Sequence, residues 1–323
     1  MVKWGVLGTA DIARKLVIPA MEAAGSCELY AVAGRSQKKA DQFKEEFGFE
    51  KAYGSLEALL QDPEVQAVYI PLPNDMHKEW VIRAAEAGKD ILCEKPLAPS
   101  YEDAKAMFEA ADRCGVHLVE AFAYLNSPYM HALKQEVQSG VLGELLFIDA
   151  EFVTSDYNEK NIRMQKDRLG GGMLDLGCYV VSEVLYLTDA DPADIHACGE
   201  LNSEGVDVLA AALMRLGGHC RAACTVGMVL ATDADNRIDR LEVRGTEGFI
   251  RSRTQFNEEG EVGFSVVSSG ESRSVTLTAP SNYVLEMENV SRYFEKGGEP
   301  PVTRELSLRV ARVLGEVLRQ IGY

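Results

Sequence analysis

Short apolar runs alternate with amphipathic segments through the first 120 residues, and this alternation restricts the fold more than any other feature. Each run has the length of a buried strand, and each amphipathic segment has the apolar spacing of a helix. Strict alternation of strand and helix predicts a doubly wound parallel sheet. The predicted strands cover residues 2–7, 29–33, 67–70, 91–93 and 118–119, and the predicted helices cover residues 37–47, 78–87 and 101–114.

The pattern changes from residue 144 onward, where alternating segments are longer and are interrupted by Gly, Asn and Asp. Such a pattern is typical of an α+β unit with an open, mostly antiparallel sheet and one covered face. Predicted strands lie at 145–153, 208–216, 220–229 and 240–243, a hairpin with its loop at 257–274, and covering helices from near residue 171 and at 303–321. Because 323 residues exceed the usual length of one domain, we expect two domains, at 1–120 and 121–323.

The acidic composition limits the partners of this chain. Asp and Glu number 50 against 33 Lys and Arg, which gives a formal net charge of -17. This charge repels nucleic acid and anionic membrane surfaces, and no long basic block offsets it, so we expect neither partner. No apolar run approaches the roughly 20 residues that span a bilayer, and residues 2–7 lack the features of a secretory leader. We therefore expect a soluble, cytoplasmic protein.

The seven cysteines are scattered and form no Cys-x-x-Cys element. This spacing argues against both a disulfide framework and a zinc site, so we expect no metal. Cys220 and Cys224 lie in a predicted strand, where residues four apart stand roughly 13 Å from each other. Most of the cysteines are therefore expected to be small buried hydrophobes.

A glycine follows the first predicted strand, at the turn where a dinucleotide-binding fold needs one. Gly8 permits a tight turn and close approach of the backbone to a pyrophosphate, and the next helix offers free N–H groups to the anion. Ala10 keeps the turn narrow where glycine is usual, and Ala13 is an accepted substitute at the third position. A purely structural turn is the alternative, but its place in a βαβ pattern favours a Rossmann domain. Candidate cofactor contacts here are Gly8, Thr9, Ala10, Asp11 and Ile12.

The end of the second strand distinguishes the cofactors. NAD-binding domains usually carry an acidic residue there, but this chain has Arg35. Arginine can bind a 2′-phosphate with two hydrogen bonds and stack on adenine, while Ser36 can donate a hydrogen bond and Lys39 adds charge. The pattern predicts NADP as the cofactor, with NAD as the alternative. The other interpretation is an ordinary solvated, basic start of a helix.

Two further groups of polar residues follow the third and fourth strands. Because ligands bind at the carboxyl ends of parallel strands, both groups are candidates for the cofactor site. His77 could equally cap the following helix, and Lys95 could be a surface lysine. The candidates are Pro71, Leu72, Asn74 and His77 after the third strand, and Glu94 and Lys95 after the fourth.

Several motifs together resemble the glucose-fructose oxidoreductase and inositol dehydrogenase family (Gfo/Idh/MocA), over essentially the whole chain. They are the turn at residues 8–13, Pro73-Asn74-x-x-His77, Glu94-Lys95-Pro96, Glu120-Ala121-Phe122 and the triple-glycine string from Gly170 to Tyr179. Members are NAD(P)-dependent oxidoreductases that act mainly on sugars, polyols and related compounds. With a tyrosine at the end of the string, this chain is most similar to the branch that contains glucose-fructose oxidoreductase, xylose dehydrogenase and dimeric dihydrodiol dehydrogenase, whereas inositol dehydrogenase-like members carry histidine at that position.

The resemblance implies that Lys95 and Tyr179 form the catalytic pair and that Asp175 assists or orients. It also implies that Asn74 and His77 line the nicotinamide side. The chemistry agrees, because an ammonium beside a phenol lowers the pKa of the phenol and lets it exchange a proton. Asp175 and Tyr179 are four residues apart and would share a helical face. Without Lys95, a first-turn aspartate and a core tyrosine would explain both residues.

The segment after Glu-Ala-Phe departs from the resemblance. Members of this branch often have Arg and His there, but this chain has Leu125 and Ser127. These two differences bear on substrate specificity more than on the type of reaction. The candidate substrate contacts are Lys95, Tyr124, Arg163, Asp175 and Tyr179, and Arg163 could alternatively pair with a surface acid.

The sequence thus predicts an oxidoreductase that transfers hydride between NADP and a hydroxyl or carbonyl carbon of a sugar, polyol or dihydrodiol. Tyr179 would exchange the substrate proton, and Lys95 would stabilise its phenolate. The alternatives are a non-catalytic dinucleotide-binding regulator and, among enzymes, a reductase of ketosugars or dicarbonyls. An open sheet with an uncovered face also favours a homo-oligomer, a dimer or a tetramer.

Overall fold

The computed structural model describes residues 1–155, 160–230 and 236–323. The chain forms two compact units. The first unit contains Met1–Ala98, Glu102–Asn126 and Ser281–Arg304, and the second contains Pro99–Tyr101, Ser127–Pro280 and Glu305–Tyr323. The sequence division at residue 120 assigns residues 281–304 to the second domain, whereas here this segment packs within the first unit.

A six-stranded parallel sheet forms the centre of the first unit, with strand order β3-β2-β1-β4-β5-β6. This order, with helical crossovers, is the doubly wound arrangement that the alternating pattern predicts. All four residues of β4 and β6 are buried, as expected for strands covered on both faces. The strands are β1 Val2–Leu7, β2 Cys27–Ala33, β3 Lys51–Tyr53, β4 Ala67–Ile70, β5 Asp90–Glu94 and β6 Leu118–Ala121.

Most helices of the first unit connect successive strands of its sheet. A π-helical turn, Ala13–Val17, follows β1 and continues into α1, Ile18–Ala23. The others are α2 Gln37–Phe47, α3 Leu56–Leu60, α4 Asn74–Glu86, α5 Tyr101–Cys114 and α8 Asn282–Lys296. α4 begins four residues before its predicted start because Pro73 occupies the N-cap position and fixes the backbone there.

Helix α8 joins the first unit through buried contacts from distant parts of the chain. The indole Nε1 of Trp4 donates to Ser291 Oγ at 3.1 Å, and Cys27 Sγ lies 3.3 Å from the same hydroxyl. Met287 and Val290 are fully buried. These contacts bridge more than 250 residues of sequence, so no local pattern indicates them.

An eight-stranded sheet dominates the second unit, with strand order β14-β13-β12-β11-β7-β10-β9-β8. Among the described strands, β7 and β10 pair in parallel and every other neighbouring pair is antiparallel. The predicted mostly antiparallel sheet is confirmed, as is the hairpin, which β13 and β14 form. The strands are β7 Leu145–Thr154, β8 Ala193–Leu201, β9 Asp207–Arg215, β10 Arg221–Gly227, β11 Arg237–Gly245, β12 Gly248–Ser252, β13 Gly260–Ser268 and β14 Glu271–Ala279.

Helices cover one face of this sheet. A π-helical turn, Met173–Gly177, continues into α7, Cys178–Thr188, which contacts β7 and β10. α6, Pro128–Gln138, contacts β13 and β14. α9, Arg304–Ile321, is held to β8 because Gln320 donates to Ile195 O and accepts from Ala197 N.

The seven cysteines form no disulfide. Cys114 and Cys198 are exposed, whereas the other five are buried. In the part of the chain that the structure describes, no group of three metal-ligating side chains could hold an ion. None of the described helices has the length and apolar character needed to cross a membrane.

Glu183 is an acidic side chain in the core of the second unit. Glu183, on α7, is 6% exposed, and burial together with the charge of Asp239 raises its pKa to about 8. The folded chain therefore binds this proton more tightly than the unfolded chain does. Stability is lost as the pH rises from the ordinary carboxyl range towards the folded-state pKa.

Replacing Glu183 by Gln should remove this pH dependence. Relative to the variant, the free energy of unfolding of the wild type should fall by about 1.4 kcal/mol per pH unit between roughly pH 5 and 8. Urea unfolding at several pH values measures the slope, with Glu200→Gln as an exposed control in the same unit. Parallel stability curves for wild type and Glu183→Gln would show that Glu183 ionises normally.

Candidate functional site

The parallel sheet brings four loops of the first unit to one edge. Strands β1, β2, β4 and β5 are adjacent and parallel, so their carboxyl ends lie side by side. The loops after these strands begin at Gly8, Gly34, Pro71 and Lys95. Most of the predicted cofactor residues therefore share this edge.

The turn after β1 is tight and has a backbone conformation that favours glycine. Gly8 has φ of +133°, and a Cβ there would lie 3.2 Å from Leu72 Cδ2. Thr9, Ala10 and Ile12 are half-buried, whereas Asp11 is exposed and its carboxylate pairs with Lys15 at 2.9 Å. The bare backbone and small side chains fit the close approach of a pyrophosphate, with the amides of the following helix as donors.

A cationic group surrounds the start of α2. Arg35, Lys38 and Lys39 are exposed, and within the described ranges none of their side chains forms an ion pair or a hydrogen bond. Ser36 Oγ caps the helix by accepting from Lys39 N at 3.4 Å, which leaves its O–H free to donate elsewhere. The three charges and the positive end of the helix give this part of an acidic chain a local positive potential.

His77 connects the loops after β4 and β5. It lies in the first turn of α4 and is 1% exposed, with Nδ1 2.9 Å from Pro96 O and Nε2 2.8 Å from Leu72 O. Burial lowers the pKa of the imidazole, and the two carbonyls oppose this shift. The ring thus lies between the two loops, and in its neutral form it donates a hydrogen bond to one of the two carbonyls. Asn74 opens the same helix, and Pro71 is buried beside it.

Hydrogen bonds fix the backbone around the Glu-Lys-Pro motif. Glu94 Oε1 accepts from the Tyr69 hydroxyl at 2.6 Å, and Oε2 accepts from Lys95 N at 3.3 Å. Leu97 N donates to Glu120 Oε1 at 2.7 Å, and the Lys95–Pro96 peptide is cis. Lys95 itself is half-buried.

The segment after β6 is buried. Tyr124 is 2% exposed and packs edge-on against Phe122, with ring centroids 6.0 Å apart. Leu125 and Ser127, which stand where the related branch often has Arg and His, are also buried. Tyr124 thus supports the core of the first unit around the predicted site.

An ion pair joins two predicted site residues of the second unit. Arg163 Nε lies 2.7 Å from Asp175 Oδ2. Asn161 Oδ1 accepts from Arg163 N at 3.1 Å and begins a short 3₁₀ turn, Ile162–Met164. The acid that pairs with Arg163 is therefore another candidate site residue.

Four residues that sequence analysis missed, Phe152, Phe256, Arg237 and Asp239, form a clamp around the ring of Tyr179. The ring centroid lies 5.0 Å from Phe256 and 5.8 Å from Phe152. Asp239 Oδ1 accepts from Phe256 N at 3.1 Å, and Arg237 binds both Asp239 oxygens at 2.5 and 2.7 Å. The Arg237 guanidinium also lies 4.3 Å from the centre of the Phe152 ring. This clamp orients a half-buried tyrosine, and its members lie more than 20 residues away along the chain.

The helix that carries Asp175 and Tyr179 begins irregularly. Asp175 lies in the π-helical turn and Tyr179 in the first turn of α7. π-helical turns occur frequently at functional sites. The predicted catalytic residues are divided between the units, because Lys95 belongs to the first and Asp175 and Tyr179 belong to the second.

Comparison with family models identifies the class of protein. Residues 2–122 match "Oxidoreductase family, NAD-binding Rossmann fold", and residues 130–251 match "GFO/IDH/MocA C-terminal domain". The chain belongs to the Gfo/Idh/MocA family of oxidoreductases and contains its NAD-binding fold. The family resemblance, the fold class and the enzyme class expected from sequence are thereby confirmed.

Three relatives illustrate the range of similar proteins. A D-xylose 1-dehydrogenase (NADP(+)) from Haloferax volcanii is 33% identical and covers 97% of this chain and 95% of its own. A trans-1,2-dihydrobenzene-1,2-diol dehydrogenase from Xenopus laevis is 29% identical, and the match covers 99% of this chain and 98% of its own. The solved structure of KijD10, a 3-ketoreductase from Actinomadura kijaniata in complex with NADP and TDP-benzene, matches with a TM-score of 0.91 at 30% sequence identity. The match covers 99% of this chain and 98% of KijD10.

Structures of two KijD10 variants also match. In one, a tyrosine is replaced by phenylalanine, and in the other a lysine is replaced by alanine. They match with TM-scores of 0.90 and 0.87, at 30% and 28% identity.

Replacing Gly8 by Val should block nucleotide binding. The added side chain would meet Leu72 and occupy the space for the pyrophosphate, so the affinity for NADP should fall at least about 10-fold. Isothermal titration calorimetry measures the affinity. Gly48→Val is the matched control, because Gly48 also has positive φ but faces open space. Equal NADP affinity in wild type and Gly8→Val would contradict this assignment of the turn.

Proposed function

We propose that this chain is an NADP-dependent oxidoreductase that interconverts a hydroxyl and a carbonyl group on a sugar, polyol or dihydrodiol. Tyr179 acts as general acid and base, and Lys95 lies beside its hydroxyl in the working enzyme. The main support is the aromatic clamp, which orients the Tyr179 ring on a helix that also carries Asp175. A tyrosine packed between two rings, which the Arg237–Asp239 ion pair in turn supports, is suited to proton transfer at a defined atom.

The proposed reaction needs a proton acceptor and a group that stabilises it. The bound cofactor supplies redox chemistry, because its nicotinamide ring accepts or donates a hydride. During oxidation, Tyr179 takes the proton of the substrate hydroxyl, and the ammonium of Lys95 stabilises the phenolate. During reduction, the protonated Tyr179 returns the proton to the carbonyl oxygen. Asp175, paired with Arg163, orients the substrate hydroxyl groups.

The spacing of substituted residues in KijD10 supports the catalytic pair. The lysine and the tyrosine replaced in its variants are 84 positions apart in that protein. Lys95 and Tyr179 are also 84 positions apart. Since the two chains match over nearly their whole length, the equal separation favours equivalent positions.

The cationic group at the start of α2 supports NADP over NAD. Arg35, Lys38 and Lys39 are exposed and have no acidic partner among the described residues, so they can bind a 2′-phosphate without breaking an ion pair. Ser36 has a free O–H to donate. The H. volcanii relative is named as NADP-dependent, and KijD10 was solved with NADP. The remaining predicted cofactor contacts are Thr9 to Ile12 around the pyrophosphate and Asn74, His77 and Glu94 near the nicotinamide.

The relatives support both directions of the reaction. Two are named as dehydrogenases, whereas KijD10 is named as a 3-ketoreductase. A ketosugar reductase is therefore the second candidate function. The departures at Leu125 and Ser127 are both buried and uncharged, so substrate recognition depends more on residues of the second unit, Arg163 among them.

We also propose a cytoplasmic homo-oligomer, a dimer or a tetramer. The helices cover one face of the eight-stranded sheet, and Leu213 on β9 is 45% exposed. A second copy of the sheet would bury such residues. Seven unpaired cysteines fit a reducing compartment.

Replacing Tyr179 by Phe should lower kcat by about two to four orders of magnitude, the usual contribution of a positioned acid or base. NADP binding should change little, since the ring and its packing remain. Turnover of a panel of aldoses, polyols and trans-dihydrodiols is followed by absorbance of the reduced cofactor. Tyr186→Phe, on the same helix, is the control. Full turnover by Tyr179→Phe would remove this residue from the mechanism, and NADP binding without any turnover by wild type would favour the regulator.

Replacing Arg35 by Ala should change the choice of cofactor. Loss of charge-assisted hydrogen bonds to the 2′-phosphate should weaken NADP binding by about 10- to 100-fold. NAD binding should change by less than about threefold, since that ligand lacks the phosphate. Titration of each cofactor against wild type, Arg35→Ala and Lys44→Ala separates this effect from a general loss of positive charge. An unchanged ratio of the two affinities would contradict the assignment.

A further inference from the structure

A buried carboxylate lies beneath the triple-glycine turn of the second unit. Asp207, the first residue of β9, is fully buried. Its Oδ2 accepts from Met173 N at 2.6 Å, and Oδ1 has no hydrogen-bond partner among the described residues. Such a carboxylate is costly to bury, so its retention here requires an explanation.

The glycines of the turn provide the space for this carboxylate. A Cβ on Gly171 would lie 2.0 Å from Asp207 Oδ1, and a Cβ on Gly172 would lie 3.4 Å from Oδ2. Gly171 also has φ of +116°, which side chains rarely adopt. Two of the three glycines are therefore matched to one acidic side chain, which lies more than 30 residues away in sequence.

The carboxylate meets the start of the helix that carries Asp175 and Tyr179. Met173, whose N–H it accepts, opens the π-helical turn that continues into α7. A negative charge at this end of a helix is favourable, because the free N–H groups there carry partial positive charge. Asp175 N donates to Gly171 O at 2.9 Å, so the same glycine turn holds the backbone of Asp175.

A tyrosine from the end of α9 packs on the same turn. The hydroxyl of Tyr323 donates to Gly170 O at 2.7 Å. Burial and the charge of Asp207 raise the pKa of Tyr323, so its phenol stays protonated. The ammonium of Lys166 lies 5.3 Å from the centre of the Tyr323 ring. Tyr323 is thus a titratable group that faces Asp207 from a neighbouring element, and Lys166 packs on the ring of Tyr323.

We propose that Asp207 is a positioning residue, whose ionised carboxylate fixes the start of the helix and thereby the places of Asp175 and Tyr179. This inference rests on the proposed role of Tyr179. Asp207 does not contact substrate or cofactor in this role, since it is buried under the turn.

The ionisation of Asp207 gives this role a pH dependence. Burial raises the pKa of Asp207 to about 6, and the bond from Met173 N opposes the shift. Below that pH the carboxyl is neutral and the bond to Met173 N loses its charge assistance. Ionisation of Asp207 strengthens the bond to Met173 N but lowers the stability of the fold. Because the folded-state pKa is raised, ionisation costs stability, and stability is lost as the pH rises from about 4 to about 6.

Because positioning and stability depend on pH in opposite directions, the two can be measured separately, which distinguishes positioning from a merely structural role. Asp207→Asn keeps an oxygen to accept from Met173 N but carries no charge at any pH. The variant should be at least as stable as wild type at pH 8. Its kcat should nevertheless be about 5- to 50-fold lower, with KM for NADP within about twofold.

The pH profile of kcat provides the first measurement. Wild-type kcat should fall as the pH decreases through about 6, whereas Asp207→Asn should lack this acid limb. Asp194→Asn, an exposed aspartate on the neighbouring strand β8, should retain the wild-type profile. An acid limb that persists in Asp207→Asn with unchanged kcat would overturn the proposal.

Amide hydrogen exchange of the cofactor-free protein tests the positioning independently of activity. Asp207→Asn should raise the exchange rate of residues 173–179 by at least about fivefold at pH 8. Protection of these amides in wild type, corrected for intrinsic rates, should decrease below about pH 6, which provides a test even if the variant does not fold. Unchanged protection in both comparisons would overturn the proposal. If instead Tyr179→Phe retains full turnover while Asp207→Asn raises exchange, the proposed function fails and the capping by Asp207 stands.

Discussion

The adjacency of parallel strands in the first unit determines where its chemistry lies. Strands β1, β2, β4 and β5 are hydrogen-bonded neighbours, so the loops that leave their carboxyl ends share one edge. Gly8, Arg35 and Lys95 are separated by many residues in sequence but belong to this edge. His77 then packs between two of the loops, within hydrogen-bond distance of Leu72 O and Pro96 O.

In the second unit, side-chain contacts fix the start of one helix and the ring of one tyrosine. The carboxylate of Asp207 holds Met173 N, and the rings of Phe152 and Phe256 hold Tyr179. Both supports include an acidic side chain that is nearly inaccessible to solvent, Asp207 or Asp239. Burial of these charges costs stability, and in return the helix and the ring have defined positions.

Sequence patterns predicted the features that depend on local periodicity. Helices α2 and α5 begin and end at the predicted residues, because their apolar spacing and flanking residues define them locally. The packing of α8 in the first unit was not predicted, since its partners Trp4 and Cys27 lie at the other end of the chain. Asp207, Asp239 and Phe256 carry no motif, and their roles follow from strand pairing and packing alone. The π-helical start of α7 also lacks a sequence signal that distinguishes it from an ordinary helix.

A crystal structure of the ternary complex with NADP and a bound polyol tests the central claim most directly. Two distances are to be measured. The first joins Lys95 Nζ to the Tyr179 hydroxyl, and the second joins that hydroxyl to the reacting oxygen of the polyol. We expect both distances to be near 3 Å, as proton transfer requires. A complex in which the two side chains open onto separate pockets, or in which the polyol binds away from Tyr179, would contradict the proposed chemistry.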